Sequence, residues 1–304
     1  MSTKIPVTVL GATGVVGQRF VRRLANHPLF RVEHLAASER SAGKRYRDAC
    51  AWRLDGEPYG GLGDQIMADG TPEFALSPVV FSALDTGPAQ ELEPQFAKAG
   101  SMVFSNAGAF RMSPEVPLLV PEVNASHLGL LDIQRHHHGW TGGIVTNANC
   151  TATVLVMALA PLQEAFGIEA VMMTSMQAIS GAGYPGVPSL DILGNVIPFI
   201  RNEEPKVEEE TPKMLGHFNG KVVVMAPMAV SAMCHRVPVI EGHTEAVSVR
   251  LKGNPSLEAV REAWLAWKPE PQSLGLHSAP AVPIHVHTLE DRPRCAATWT
   301  ATRA

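Results

Sequence analysis

The apolar residues of the first ten positions form one short run. Residues 6–10 are apolar and largely β-branched and stop at Gly11, which predicts a buried strand rather than a helix. From Val15 the apolar spacing lengthens, with Val16, Phe20 and Leu24 on one helical stripe and His27-Pro28 as its end. Residues 31–37 predict a second strand, so a βαβ unit opens the chain. Further strands are expected at 79–84, 102–105 and 144–146, with a helix over 89–99 between the first two. Alternating strands and helices predict an α/β domain, a doubly wound parallel sheet, over residues 1–149.

The texture changes at Cys150. A long apolar helix is expected over 151–166, followed by longer, more alternating strands at 169–179, 221–226, 238–251 and 282–289. Ser256 is placed to cap a helix over 257–267. Long strands with few intervening helices predict a second, α+β domain over 150–304, its sheet mostly antiparallel.

At 304 residues and 45% hydrophobic content the chain is long enough for two domains. A formal charge of -4 offers no electrostatic reason to expect nucleic acid or an anionic membrane as partner. No apolar run has the length of a membrane span or a signal segment, so a cytoplasmic protein is expected. Cys50, Cys150, Cys234 and Cys295 are scattered without a CxxC pair, so each is core or chemistry. The run His136-His137-His138 before Gly139 reads as a solvated loop, and no metal site is expected. The acidic stretch 203–210 reads as solvated apart from Glu210. Met172, Met173, Met176, Met225, Met228 and Met233 read as core and subunit packing.

Two segments point to chemistry. The first, Gly11-Ala12-Thr13-Gly14-Val15-Val16-Gly17, lies between a predicted strand and a predicted helix. Gly11 and Gly14 let the backbone approach a pyrophosphate, Gly17 lets the helix pack on the strand, and the helix start offers N–H donors. After the second strand an enzyme that uses NAD wants an acid for the ribose 2′-hydroxyl. Here Ser38, Arg40, Ser41 and Lys44 offer two hydroxyls and two cations suited to a 2′-phosphate, with Glu39 among them. NADP is therefore expected. The second segment, Asn147-Ala148-Asn149-Cys150-Thr151, ends a strand and opens a helix. A thiol there has its anion stabilised by the helix dipole and free N–H groups, which can also hold an oxyanion.

Five motifs in order then resemble one family: GATGVVG at 11–17, NANCT around Cys150, QAISGAG at 177–183, ETPK at 210–213, and CHR at 234–236 with Gly242-His243. Over about residues 4–292 the chain resembles aspartate-semialdehyde dehydrogenase, in the branch found in archaea, fungi and some bacteria. The resemblance implies a Rossmann-type domain followed by a catalytic and dimerisation domain, hence a homodimer or homotetramer. It implies Cys150 as nucleophile, His243 as acid/base and Gln177 as the amide orienting the acyl group. Arg236 would grip the substrate carboxylate, Glu210 read its amino group, and Arg111 and Lys213 bind phosphate. Ser180, Gly181 and Gly183 would form the turn beside the nicotinamide.

The residue types suit that chemistry. Acyl phosphate reduction needs a thiolate, cations for the leaving phosphate and an imidazole that delivers a proton near neutral pH. A substrate bearing both an ammonium and a carboxylate needs a bidentate cation and an opposing acid. The implied reaction is NADP-dependent reductive dephosphorylation of 4-phospho-L-aspartate to the semialdehyde, on the way to lysine, threonine, methionine and, in bacteria, diaminopimelate. Alternatives are a malonyl-CoA reductase of the same branch, an N-acetyl-glutamyl-phosphate reductase, and a non-catalytic homologue that binds only nucleotide or a partner subunit. The stretch 294–304 matches nothing in the family pattern and reads as a truncated or divergent end. It raises the expectation of an unpaired sheet edge and a tendency to associate.

Overall fold

The computed structural model describes residues 4–290; the expectation about the stretch 294–304 falls outside them. The chain divides into two compact units. The first holds the chain through Leu118, Leu128–Asn147 and Gly220–Val222. The second holds Leu119–His127, Ala148–Asn219 and the described residues from Val223.

The first unit carries β1 (Ile5–Leu10), α1 (Val15–Leu24), β2 (Phe30–Ala37), β3 (Ala68–Asp69), β4 (Val79–Ser82), α2 (Thr86–Lys98), β5 (Met102–Ser105), α3 (Leu130–His138) and β7 (Gly143–Asn147). With β6 (Leu118–Leu119) they form a sheet of order β3-β2-β1-β4-β5-β7-β6. The pairings of β1 with β2 and β4, β2 with β3, and β5 with β4 and β7 are all parallel. The order reverses direction beside β1, and ligands of such sheets bind at the strand ends there. Along β1 the side chains alternate between two cores. Val7 and Val9 pack with Val21, Leu35, Tyr46 and Met67, and Leu10 packs with Val80, Phe96, Val103 and Ile144.

The helical stripe on α1 differs from the expected one. Gly17, Gln18, Val21 and Leu24 face inward, while Val16 is 46% exposed. Gly17 decides this, because a Cβ there would overlap the carbonyl of Gly11, so this bare face can lie against the strand. Gln18 is 1% exposed, with its amide donating to the carbonyls of Thr13 and Ala51 and accepting from the N–H of Arg53. A polar residue on the buried face is tolerated because every bond is made.

The second unit contains α4 (Cys150–Ala165), β8 (Ile168–Gln177), α5 (Glu203–Met214), the two-residue strands β9 (His217–Phe218) and β10 (Val223–Val224), β11 (Ala229–Arg236), β12 (Thr244–Leu251) and α6 (Leu257–Ala266). Its main sheet, β11-β8-β12, is mixed: β8 pairs with β11 in parallel and with β12 antiparallel. Ser256 caps α6 as expected, its hydroxyl accepting from Ala259 N–H at 3.2 Å. The expected strand over 238–251 starts only at Thr244, after Pro238 and Gly242, and 282–289 forms no strand. Pro283 removes a ladder donor there. The strand β11 was not expected, since its small residues, Met, Cys and Arg carry little β-branched signal.

Two corrections concern charge. The stretch 203–210 belongs to α5, and Glu203, Val207, Glu210 and Met214 share its buried face. The three histidines end α3 rather than forming a loop, and His137 and His138 both bond the carboxylate of Glu115. The methionines also divide: Met173 is core at 1% exposure, whereas Met172 and Met233 stand exposed on the other face of the sheet.

Candidate active site

In the first unit the glycine turn joins β1 to α1. Gly11 has φ +70, and a Cβ on it would sit 2.5 Å from the carbonyl oxygen of Ala83. Gly14 starts α1 without a side-chain cap, so the first N–H groups of the helix have no intrahelical acceptor. The turn is held from beneath. The hydroxyl of buried Tyr46 donates to Ala12 O at 2.7 Å, and Gln18 Nε2 donates to Thr13 O at 3.0 Å. With those carbonyls tied down, the amides of Thr13, Val15 and Val16 belong to a fixed turn and the first turn of a helix, suited to an anion. Ser38, Arg40, Ser41 and Lys44 follow β2 in an exposed turn, and the side-chain cations of Arg40 and Lys44 have no protein partner among the described residues. Arg111 donates from Nη2 to Asn106 O at 3.0 Å.

In the second unit Asn149 starts α4. Its Oδ1 accepts from the N–H groups of Thr151 at 2.9 Å and Ala152 at 3.0 Å, the standard use of an Asn N-cap. Cys150 is thereby the first helical residue, and it is exposed. Although solvent reaches it, protein packed around the sulfur's inner side, and then the charge of Glu203, push the thiol up. The N–H groups of Thr151 and of Cys150 itself oppose them. Accessibility at the surface and crowding behind the sulfur describe different sides of one side chain.

Nε2 of His243 lies 3.2 Å from Sγ of Cys150, and its Nδ1 accepts the N–H of Ala178 at 3.1 Å. Since Nδ1 is an acceptor, the neutral ring carries its proton on Nε2, facing the sulfur. Burial, and then the Arg236 guanidinium, hold the His243 pKa below its ordinary value. Arg236 is 5% exposed and donates from Nη1 to Ala178 O at 2.8 Å. Its strand position is informative: Arg236 and Gln177 are register partners across β11 and β8, so period-2 alternation sends both to one face. Cys234 and Ser175 form the next inward pair, with Glu245 opposite Ser175 on β12. Gly181 fits against this group, because a Cβ there would lie 2.7 Å from Arg236 Nη1 and 3.2 Å from His243 Cε1. Ser180 and Gly183 bracket it in a short turn, with Gly183 at φ +71.

Glu210 and Lys213 are 2% and 3% exposed on α5. The carboxylate of Glu210 accepts the N–H of Asn149 at 2.6 Å. Burial brings the ammonium of Lys213 down to about 8, against the opposing pull of Glu210. The structure thus gathers Cys150, His243, Arg236 and Gln177 on one face of the second unit, with Glu210 joined to them through Asn149. Asn149 and Glu203 were not singled out among the expected site residues. An Asn directly before a helix-opening residue is a readable cap signal, and Glu203 stands one heptad before Glu210.

Residues 6–131 match the family described as semialdehyde dehydrogenase, NAD binding domain, and residues 159–304 match semialdehyde dehydrogenase, dimerisation domain. Those two matches define the class, a dehydrogenase built from a dinucleotide-binding part and a dimerisation part. The aspartate-semialdehyde dehydrogenase of Archaeoglobus fulgidus is 51% identical over 95% of this chain and 82% of its own length. That of Methanothermobacter thermautotrophicus is 47% identical over 95% and 84%. The crystal structure of the Candida albicans enzyme with NADP superposes with a TM-score of 0.89 at 42% identity, covering 96% of this chain and 85% of that one. The chain belongs to the aspartate-semialdehyde dehydrogenase family.

Proposed function

We propose that the chain catalyses the NADP-dependent reductive dephosphorylation of 4-phospho-L-aspartate to L-aspartate 4-semialdehyde through a thioester on Cys150, serving lysine, threonine and methionine synthesis and, in bacteria, diaminopimelate synthesis. The observation that carries this reading is the 3.2 Å approach of His243 Nε2 to Cys150 Sγ at the start of α4, with Arg236 and Gln177 on the same face. Cys150 reacts as its thiolate: the sulfur attacks the acyl carbon, forming a C–S bond as the C–O bond to phosphate breaks and phosphate leaves with the bonding pair. Arg111 and Lys213 are the cations assigned to the departing phosphate. Arg236 is assigned the substrate carboxylate and Glu210 the ammonium, with Gln177 orienting the acyl group. When the thioester is reduced its carbonyl oxygen gains negative charge, and the Nε2 proton of His243 is the one available to it. As the resulting thiohemiacetal collapses, that proton returns to His243, the C–S bond breaks, and the semialdehyde leaves with Cys150 again a thiolate.

The cofactor assignment is supported by the turn at 11–17, whose carbonyls are bonded from beneath, and by Arg40 and Lys44, cations without protein partners among the described residues. Gly11, Thr13, Gly14, Val15, Val16 and Gly17 would hold the pyrophosphate, and Ser38, Arg40, Ser41 and Lys44 the 2′-phosphate. Bound NADPH supplies the hydride. Ser180, Gly181 and Gly183 are assigned to the nicotinamide side. The match to a dimerisation domain and the exposed Met172 and Met233 support a homodimer or homotetramer.

The test follows NADPH formation from aspartate semialdehyde, NADP and phosphate, with Cys150→Ser as control. Phosphate-dependent reduction that disappears in the serine variant, while NADP binding persists, is expected. A serine variant keeping more than about a tenth of the activity, a loss below about 1.4 kcal/mol of barrier, would overturn covalent catalysis.

A further inference from the structure

Glu203 is a carboxylate at 7% exposure that the proposed chemistry leaves unused. It is the first residue of α5. Its Oε1 accepts from two amides, Asn149 Nδ2 at 2.8 Å and Gln177 Nε2 at 3.3 Å. Its Oε2 lies 3.5 Å from Lys206 Nζ. One carboxylate therefore joins the cap of the nucleophile helix to the amide at the end of β8.

Those bonds decide which way two amides point. A side-chain amide has a donor end and an acceptor end of nearly equal shape, so only its partners select an orientation. An anion facing Nδ2 of Asn149 selects the orientation in which Oδ1 caps Thr151 and Ala152. Together with Ser175 Oγ at 3.2 Å, the same anion takes the donor end of Gln177. An uncharged apolar residue at 203 would take the acceptor from buried Asn149 Nδ2 and leave Gln177 Nε2 with Ser175 Oγ alone, which destabilises as well as disorders the site.

The charge also has near neighbours. Through space it acts on Cys150 of α4, on Arg236 and Cys234 of β11, and on His243 before β12, on which Glu241 also acts. Lys206 is its cation on α5 itself. A fixed anion among these groups disfavours the thiolate of Cys150 and favours a proton on His243.

We propose that Glu203 is a positioning residue for Cys150: it orients Asn149 and Gln177 and sets a fixed negative charge beside the thiol and imidazole. This rests on the reading of Cys150 as the nucleophile. The test is the pH dependence of Cys150 alkylation by iodoacetamide, followed by peptide mass, together with turnover. It compares the full chain with E203Q and E203D, and C150S identifies the peptide. In E203Q the charge is lost, so the alkylation profile moves to lower pH. A move of about half a unit to one unit makes labelling near pH 7 about three- to tenfold faster. E203D keeps the charge and holds the wild-type profile, but its shorter reach lowers turnover about tenfold. An unchanged profile in E203Q overturns the charge role, and unchanged turnover in E203D overturns the orienting role. If E203Q does not unfold cooperatively, E203D turnover alone decides. A Cys150 peptide that no reagent labels in the wild type instead overturns its reading as nucleophile.

Discussion

Cys150 and His243 are separated by 93 residues in sequence and by 3.2 Å between sulfur and Nε2. A single residue between the strands steadies this pair: Ala178 gives its N–H to His243 Nδ1 and its carbonyl to Arg236 Nη1. The same stretch of backbone thus fixes the tautomer of the imidazole and the end of the guanidinium.

Arg236→Lys should raise KM for the semialdehyde and lower kcat. A lysine cannot make two parallel bonds to a carboxylate, and here it would also give up the bond to Ala178 O. Loss of such a charge-assisted contact is worth about 1.5–3 kcal/mol, or roughly ten- to a hundredfold in kcat/KM. Steady-state kinetics check it, and unchanged constants would remove Arg236 from substrate binding.

Gly181→Ala is expected to reduce kcat/KM about tenfold while the unfolding temperature hardly moves. Its Cβ would crowd Arg236 Nη1 at 2.7 Å. The end of a flexible side chain can yield at little cost to stability, whereas a displaced guanidinium costs positioning. A large fall in thermal stability with intact kinetics would contradict this account.

Replacing Arg40 and Lys44 together with alanine should weaken NADP binding by at least about tenfold and leave NAD binding nearly unchanged, because only NADP carries the 2′-phosphate. Fluorescence titration with both nucleotides measures the ratio. Equal losses would show that these cations do not read that group.

Glu245→Gln should stabilise the protein increasingly as pH rises. Glu245 lines a cavity of about 590 Å³ with Val154, Leu155, Ala158, Val247 and Trp264, and its buried Oε1 has no hydrogen bond among the described residues. Burial pushes its pKa up from 4.5 to about 8. Between those values the folded state holds a proton that the unfolded chain releases, so wild-type stability falls as pH rises through this window. The glutamine variant lacks the loss, and its advantage should be near zero at about pH 5 and about 1–3 kcal/mol at about pH 7.5. Thermal unfolding at both pH values decides, and a gain independent of pH would refute the assignment.

The sequence by itself determined what depends on local backbone preference. The period change at Gly11 marks the turn from β1 into α1, the Asn149–Cys150 step marks the start of α4, and Ser256 marks the start of α6, because caps and periodicity act within a few residues. The order of motifs also carried the family. Tertiary structure alone decided which groups meet. Gln177 opposes Arg236 through strand register, and no spacing in the chain announces β11 as the parallel neighbour of β8. Glu203 looked like one more solvated acid, yet the amides of Asn149 and Gln177, 54 and 26 residues away, give it the partners that let it be buried. Gln18 likewise displaced Val16 from the inner face of α1, because bonds to Thr13, Ala51 and Arg53 satisfy its amide. A polar side chain is buried only where distant partners complete its hydrogen bonds, and those partners are a property of the folded chain.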